Sequence, residues 1–216
     1  MKQVRLSQFL SEAPLPDDWD DAMYNDKVPF ARRVAYAKER AKRLGSGSSR
    51  VAFVIPYQGR DTVLKIAKNR KGMAQNDVET QILDDHYAQS LGLFIPLIDY
   101  DEQNESPTWI HTELAKKATE ADFVKACGGT LNDLLAYASE YHGKKSHYGD
   151  ASKVNGESEL AEAMMDYVGS YSPNIADYRN IKNWGVYNGS PVIIDAGYND
   201  DVQQLYYPKQ TVGARW

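Results

Sequence analysis

Two short strand signals joined by an Asn-Gly turn constrain this chain more tightly than any other stretch. They are Asn183-Trp184-Gly185-Val186 and Pro191-Val192-Ile193-Ile194-Asp195-Ala196-Gly197, with Tyr187-Asn188-Gly189-Ser190 between them. Asn-Gly flanked by apolar residues is the chemistry of a tight hairpin turn, whose central residues need positive φ. Such a hairpin carries the amide at the start of one strand to the carboxylate at the end of the next. An Asn oxygen and an Asp carboxylate at one mouth are hard oxygen ligands of the kind that hold Mg²⁺ beside the phosphates of a nucleotide. A polar-capped hairpin closing on an Asp-Ala-Gly turn explains the same residues, and this stretch alone leaves both readings open.

Upstream, Leu44-Gly45-Ser46-Gly47-Ser48-Ser49-Arg50-Val51-Ala52-Phe53-Val54-Ile55 reads as a glycine-bearing turn opening into an apolar strand. Two glycines and three serines let the backbone approach phosphate oxygens and offer them N–H groups. A second strand, Thr62-Val63-Leu64-Lys65-Ile66-Ala67, follows a polar turn. Lys65 interrupts that apolar run, and an ammonium inside a fold needs a carboxylate or a phosphate as partner. Glu79, on the helical segment 75–83, is one candidate. An outward-facing lysine on an edge strand is the competing reading.

Taken in order, Gly-Ser-Gly-Ser-Ser-Arg-Val at 45–51, Val-Leu-Lys-Ile-Ala-Lys at 63–68, Val-Glu-Thr-Gln-Ile-Leu at 78–83, Asp177 before Asn183, and Ile-Ile-Asp-Ala-Gly at 193–197 resemble the protein-kinase-like superfamily. The resemblance implies an α+β, reduced protein-kinase-like fold, with a small antiparallel sheet plus a helix as N-lobe and a truncated, mainly helical C-lobe. It further implies ATP and Mg²⁺ as cofactors. Gly45, Ser46, Gly47 and Ser48 would lie over the phosphates, and Lys65 would hold the α/β-phosphates while paired with Glu79. Backbone groups from Glu113 to Ala115 would meet the adenine edge. Asp177 would be the base, Asn183 a metal ligand and Asp195 the principal metal ligand. Within that superfamily, the segment 64–79 is similar to small kinase-like proteins of tailed phages, which implies a viral protein of the host cytoplasm or the virion.

Departures from the family's pattern are as informative. Arg50 stands where the phosphate loop has its third glycine, and its guanidinium either reaches a phosphate or crowds it. Asp177 lies one residue further from Asn183 than the family's spacing, with Tyr178 at the usual place of the base, and Ile175 and Ala176 replace the preceding His and Arg. A one-residue bulge would restore the geometry; without it, a displacement of about 1 Å costs roughly a hundredfold in rate. The chain after Gly197 is too short for a kinase's substrate-binding half. Two readings follow: a minimal Mg-ATP-dependent phosphotransferase, and a catalytically inactive, pseudokinase-like structural or interaction protein.

Composition excludes some alternatives. With 216 residues, 42% of them hydrophobic, the chain is long enough for a substantial core, and a net charge of −5 argues against a nucleic-acid surface as its main business. The basic runs Arg32-Arg33, Lys38 to Arg43 and Lys68 to Lys71 read as solvated faces. Cys127 is the single cysteine, which rules out an internal disulfide, and it reads as a bystander thiol in a cytoplasmic protein. No stretch has the apolar length of a membrane span.

Punctuation by Gly and Pro divides the chain into an N-terminal extension with a helix (1–44, the helix over 30–44), an N-lobe (45–115) and a reduced helical C-lobe with the hairpin and a tail (116–216). Strands are expected near 50–56, 62–67, 94–101 and 108–114, and helices over 73–91, 122–141 and 157–169. The region 141–150, with His142 and His147, reads as a flexible loop. Leu205-Tyr206-Tyr207-Pro208 and Trp216 make the tail aromatic enough to dock on the body or on a protein partner.

Overall fold

The computed structural model describes residues 15–16, 19–24, 27–197, 202 and 205–206. Most of the acidic lead before Trp19, and Tyr207, Pro208 and Trp216 of the tail, lie outside the described residues. The fold is α+β, and it falls into two compact units, one within Met1–Asn76 and Leu97–Leu114, the other within Asp77–Pro96 and Ala115–Trp216.

The first unit is built on a five-stranded antiparallel sheet in the order β1-β2-β3-β5-β4, from β1 (Lys42–Ser46), β2 (Arg50–Tyr57), β3 (Arg60–Ala67), β4 (Leu97–Tyr100) and β5 (Trp109–Glu113). Tyr57 pairs with Arg60 across a two-residue turn, Gln58-Gly59, with φ of 49° and 76°. Positive φ at both positions makes the turn twist with its strands. Alternation sends Val51, Phe53, Ile55, Leu64 and Ile66 to one face, where they bury against Leu15, Trp19, Tyr24 and Ala37. The rings of Trp19, Tyr24 and Tyr36 close over one another at 5.8–6.2 Å.

The expected helix over 30–44 ends early. Helix α1 runs Phe30–Arg40, Ala41 is extended, and Lys42–Ser46 pairs with β2 as an edge strand. Leu44, placed by periodicity on the buried face, is 53% exposed. Ladder hydrogen bonds to β2 outweigh one more turn of helix, and Lys42 and Arg43 charge the free edge against pairing with other chains.

Helix α2 (Arg70–Leu83) starts earlier than expected because Asn69 caps it, its Oδ1 accepting from Gly72 N at 3.0 Å. The unit boundary falls within this helix. A new helix, α3 (His86–Ser90), then begins where Asp85 accepts from Ala88 N, so the single helix expected over 73–91 is two.

In the second unit, β6 (Lys116–Lys117), β7 (Trp184–Tyr187) and β8 (Ser190–Ile193) form a small antiparallel sheet. The helices α4 (Glu120–Cys127), α5 (Leu131–Tyr141), α6 (Glu159–Tyr171) and α7 (Ile175–Tyr178) complete it. What was expected as one helix over 122–141 breaks at Gly128, at φ 83°, and restarts from the Thr130–Asp133 capping box. Phe123, Leu134, Met164, Tyr167 and Trp184 are fully buried here.

The expected flexible loop is tied at its end: Asp150 N donates to Asp133 Oδ1 at 2.7 Å, while Thr130 N and Oγ1 donate to Oδ2. Burial disfavours the Asp133 carboxylate, but these donors prevail and hold its pKa below the ordinary value. Cys127 is buried with its thiol near the Phe123 carbonyl, and burial raises its pKa, as befits an inert thiol. Among the described residues, no helix is long and apolar enough to cross a membrane.

Gly72 supplies a test of the first unit's packing. A Cβ there would fall on the Ser49 carbonyl oxygen and 3.1 Å from Ala67 Cα. Ala in a helix interior gains up to about 1 kcal/mol over Gly. Backbone cannot give way as a side chain can, and overpacking costs about 1–3 kcal/mol. We expect Gly72→Ala to lower the urea midpoint with the m-value unchanged; an unchanged or raised midpoint would show that the close approach does not exist.

Candidate functional site

In the first unit, the β1–β2 hairpin tip carries Ser46, Gly47 and Ser48, all exposed. Gly47 N donates to Arg50 O at 3.0 Å. Neither Gly45 nor Gly47 has positive φ, and among the described residues a Cβ at Gly45 would meet nothing within 4 Å. Gly45 lies at a register irregularity of β1 between Arg43 and Gly45, a place where strands commonly use glycine.

The tip is braced by residues expected to be a solvated basic run. Lys68 Nζ donates to Gly47 O at 2.5 Å and to Ser46 Oγ at 3.3 Å, Asn69 Nδ2 to Ser48 O at 3.3 Å, and Lys71 Nζ to Ser48 Oγ at 3.4 Å. Ser49 Oγ bonds Gln75 Oε1. The Arg50 guanidinium is buried and donates to Asn76 Oδ1 at 3.2 Å, and Asn76 in turn donates to Pro107 O at 3.0 Å. Sequence reasoning missed this bracing because a Lys/Arg run has the same composition whether it is solvated or bonded to a turn.

Lys65 sits on β3, the central strand, paired with Ala52 on one side and Ile110 on the other. It is 9% exposed, which overturns the reading of an outward-facing lysine on an edge strand. Register aligns Gly45, Ala52, Lys65 and Ile110 in one row, on the face opposite Phe53, Leu64 and Ile66. One small residue, Ala52, thus lies beside the lysine, with Gly45 beyond it in the row. Glu113 ends β5 and takes a bidentate contact from Arg60, with Nη2 to Oε1 at 2.6 Å and Nε to Oε2 at 3.2 Å. The chain passes to the second unit at Leu114 and Ala115.

In the second unit, Glu79 is fully buried on α2. The loop from Asn174 to Asn183 is set by its own asparagines: Asn174 Oδ1 accepts from Ala176 N and Asn180 Oδ1 from Lys182 N, both at 3.2 Å. Asn183 Nδ2 reaches back to the Asp177 carbonyl at 3.0 Å, and Trp184 Nε1 donates to the Tyr178 carbonyl at 2.8 Å. Ile194 N donates to Asn183 O at 2.8 Å, extending the β7–β8 ladder by one step, so that Asn183 lies opposite Ile194, the residue before Asp195. Asp177, Asn183 and Asp195 thus belong to one unit, and all three are half-buried. Asp177 itself lies in the single turn of α7. Asx-turn chemistry at Asn174 and Asn180 was legible in the sequence and went unused.

Tyr178 is buried, its hydroxyl 2.8 Å from that of Tyr167. Burial raises the Tyr178 pKa far above the usual range, and Tyr167, Asp177 and Glu79 add to the shift. Tyr167 is pushed up to about 12, chiefly by burial and against the hydrogen bond from Tyr178. Both carboxylates thus bear on this phenol pair.

No protein-family model matches the chain, and no curated protein matches it. Solved structures of aminoglycoside phosphotransferase APH(4)-Ia are similar to it. A thermostable mutant in ternary complex with ADP and hygromycin B is 14% identical, with 76% of this chain and 70% of that one covered and a TM-score of 0.34. A second thermostable mutant, with AMP-PNP and hygromycin B, is 13% identical over 73% and 66%, at 0.33. The enzyme without those changes is 13% identical over 78% and 71%, at 0.34. A superposition this loose carries no assignment.

The phenol pair makes stability depend on alkaline pH. A tyrosine ionises near 10 when unfolded and, for Tyr167, near 12 when folded, so its neutral form favours folding. That contribution is complete below about pH 10 and falls away as the pH rises towards about 12. Thermal unfolding followed by circular dichroism should show the midpoint dropping above about pH 10, with a smaller drop for Tyr167→Phe. An equal drop in both proteins would remove Tyr167 as a source of the effect.

Proposed function

We propose that this chain binds a Mg²⁺-nucleoside triphosphate, ATP by its resemblance to the kinase-like superfamily, and transfers the terminal phosphoryl group to an acceptor hydroxyl. The observation that supports it most is the hydrogen bond from Asn183 Nδ2 to the Asp177 carbonyl, together with that from Ile194 N to Asn183 O. An amide whose NH₂ is committed to one side leaves its Oδ1 facing the other. One amide oxygen and one carboxylate suit a small hard cation that keeps waters and shares phosphate oxygens. Among the described residues no group of three or more His, Cys, Asp and Glu side chains forms a cage, so a cation here would depend on the phosphates it arrives with. When bound, Mg²⁺ would neutralise charge on the β- and γ-phosphate oxygens.

Roles follow for the chain's own residues. The Asp177 carboxylate accepts the proton of the acceptor hydroxyl as its oxygen bonds to the γ-phosphorus, and the bond to the β-bridging oxygen breaks with its electron pair leaving on the diphosphate. Lys65 holds the α/β-phosphates with Glu79 as its family partner, the Gly45 to Ser48 tip covers them, and the backbone from Glu113 to Ala115 meets the base. The lobes would be 45–115 and 116–216. Similarity of 64–79 to small kinase-like phage proteins suggests a viral origin for the activity.

Two substitutions test the reading. At a hundred times its Kd, Mg-ATP should stabilise the wild type by about 2.7 kcal/mol, read as a shift in melting temperature. Asp195→Asn should lose the Mg-dependent part of that shift with the fold intact; an undiminished shift rejects Asp195 as a ligand. Asp177→Ala should keep the shift and lose about 10²–10⁴ in phosphoryl transfer, followed with radiolabelled ATP. A wild type that binds Mg-ATP and transfers nothing is instead the inactive, pseudokinase-like binding protein.

A further inference from the structure

Five hydrogen bonds already described hold the backbone of the Asn174–Trp184 loop, and none of them involves the Tyr178 side chain. That side chain is held by another element. Tyr178 and Tyr167 are each 1% exposed, and one hydroxyl donates to the other at 2.8 Å. Tyr167 lies on α6, its ring packed edge-on by Phe94 at 4.9 Å and beside Tyr171 at 5.3 Å, so it is not free to follow a loop that moves. A buried hydroxyl left without a partner is costly, which makes the pair a geometric condition on both rings. Successive residues in a helical turn point about 100° apart, so fixing Tyr178 inward fixes where Asp177 points.

We propose that Tyr167 is a positioning residue: through its hydroxyl contact with Tyr178 it sets the Asn174–Trp184 loop and the direction in which the Asp177 carboxylate projects. The proposal rests on the reading of Asp177 given above. It also accounts for the departure from the family's spacing. Tyr178 occupies the usual place of the base, its ring is drawn into the core by Tyr167, and the residue before it is left half-buried. Burial and the neighbouring Asp177 charge both keep the phenols un-ionised, so each keeps its proton for the pair.

Tyr167→Phe keeps the ring and removes one hydroxyl. The first readout does not depend on activity: the Trp184 indole N–H, bonded to the Tyr178 carbonyl, is followed by hydrogen exchange in ¹⁵N NMR of the full chain. Its signal is assigned with Trp184→Phe, and Trp109 of the other unit serves as internal reference. We expect Trp184 exchange to accelerate about tenfold, the factor given by losing a hydrogen bond near the top of its usual net worth, with Trp109 unchanged. The second readout is Mg-ATP turnover, read as ADP formation: kcat should fall while KM for ATP holds. Tyr178→Phe should do the same, and the double variant should be no worse than either single one, because the two hydroxyls act as a unit. Should Tyr167→Phe fail to fold, Tyr178→Phe carries the test alone. A folded variant whose Trp184 exchange equals that of the wild type overturns the proposal, as does accelerated exchange with an unchanged kcat. If the wild type turns over no ATP, the phosphotransfer reading falls, and Trp184 exchange alone decides whether Tyr167 holds the loop.

Discussion

The side-chain amide and backbone carbonyl of Asn183 hold the candidate site together. The amide nitrogen ties down the carbonyl of Asp177, and its own carbonyl receives Ile194 N at the end of β8. One residue thereby joins a helical turn, a 3₁₀ turn and a hairpin, each of which is too short to be stable alone. Gly185, two residues on, lets the hairpin close: a Cβ there would press on Ala115 Cβ and, at 2.9 Å, on Ile194 Cγ2. A side chain at that position would crowd the Lys116 carbonyl of β6 as well, at 3.0 Å.

The first unit solves a different problem, which is how to keep an ammonium in the central strand of a sheet. Its other face spends its apolar residues on Trp19, Tyr24 and their neighbours, so the stability of the sheet does not rest on the row containing Lys65. That row can then be small on one side, at Ala52 and Gly45. Burying a lysine is tolerated only where something polar or anionic meets it.

Much of this was legible in the chain. The hairpin formed as the Asn188-Gly189 turn predicts, with φ of 50° and 90° at those residues, and the strands around Lys65 and the pair near 97–113 fell where alternation put them. Errors cluster where local signals compete with tertiary ones. Helical periodicity ran through Ala41 to Leu44, yet the ladder with β2 took those residues. Gly128 and Asp84-Asp85 broke helices that apolar spacing had read as continuous, because caps act on single backbone groups that a periodic pattern does not register.

By itself, the sequence determined the chemistry on offer and its order: a glycine-serine turn, a lysine within an apolar run, and an Asn and an Asp joined by a tight turn. These are local properties, set by φ preferences, strand alternation and residue type. Only the tertiary structure decided that Lys65 is buried in a central strand, that Arg50 is bonded to Asn76, and that Asp177 sits in the turn of α7 with the Tyr178 hydroxyl against that of Tyr167. Each depends on partners distant in sequence, and one chain without its relatives carries no record of which distant groups must meet.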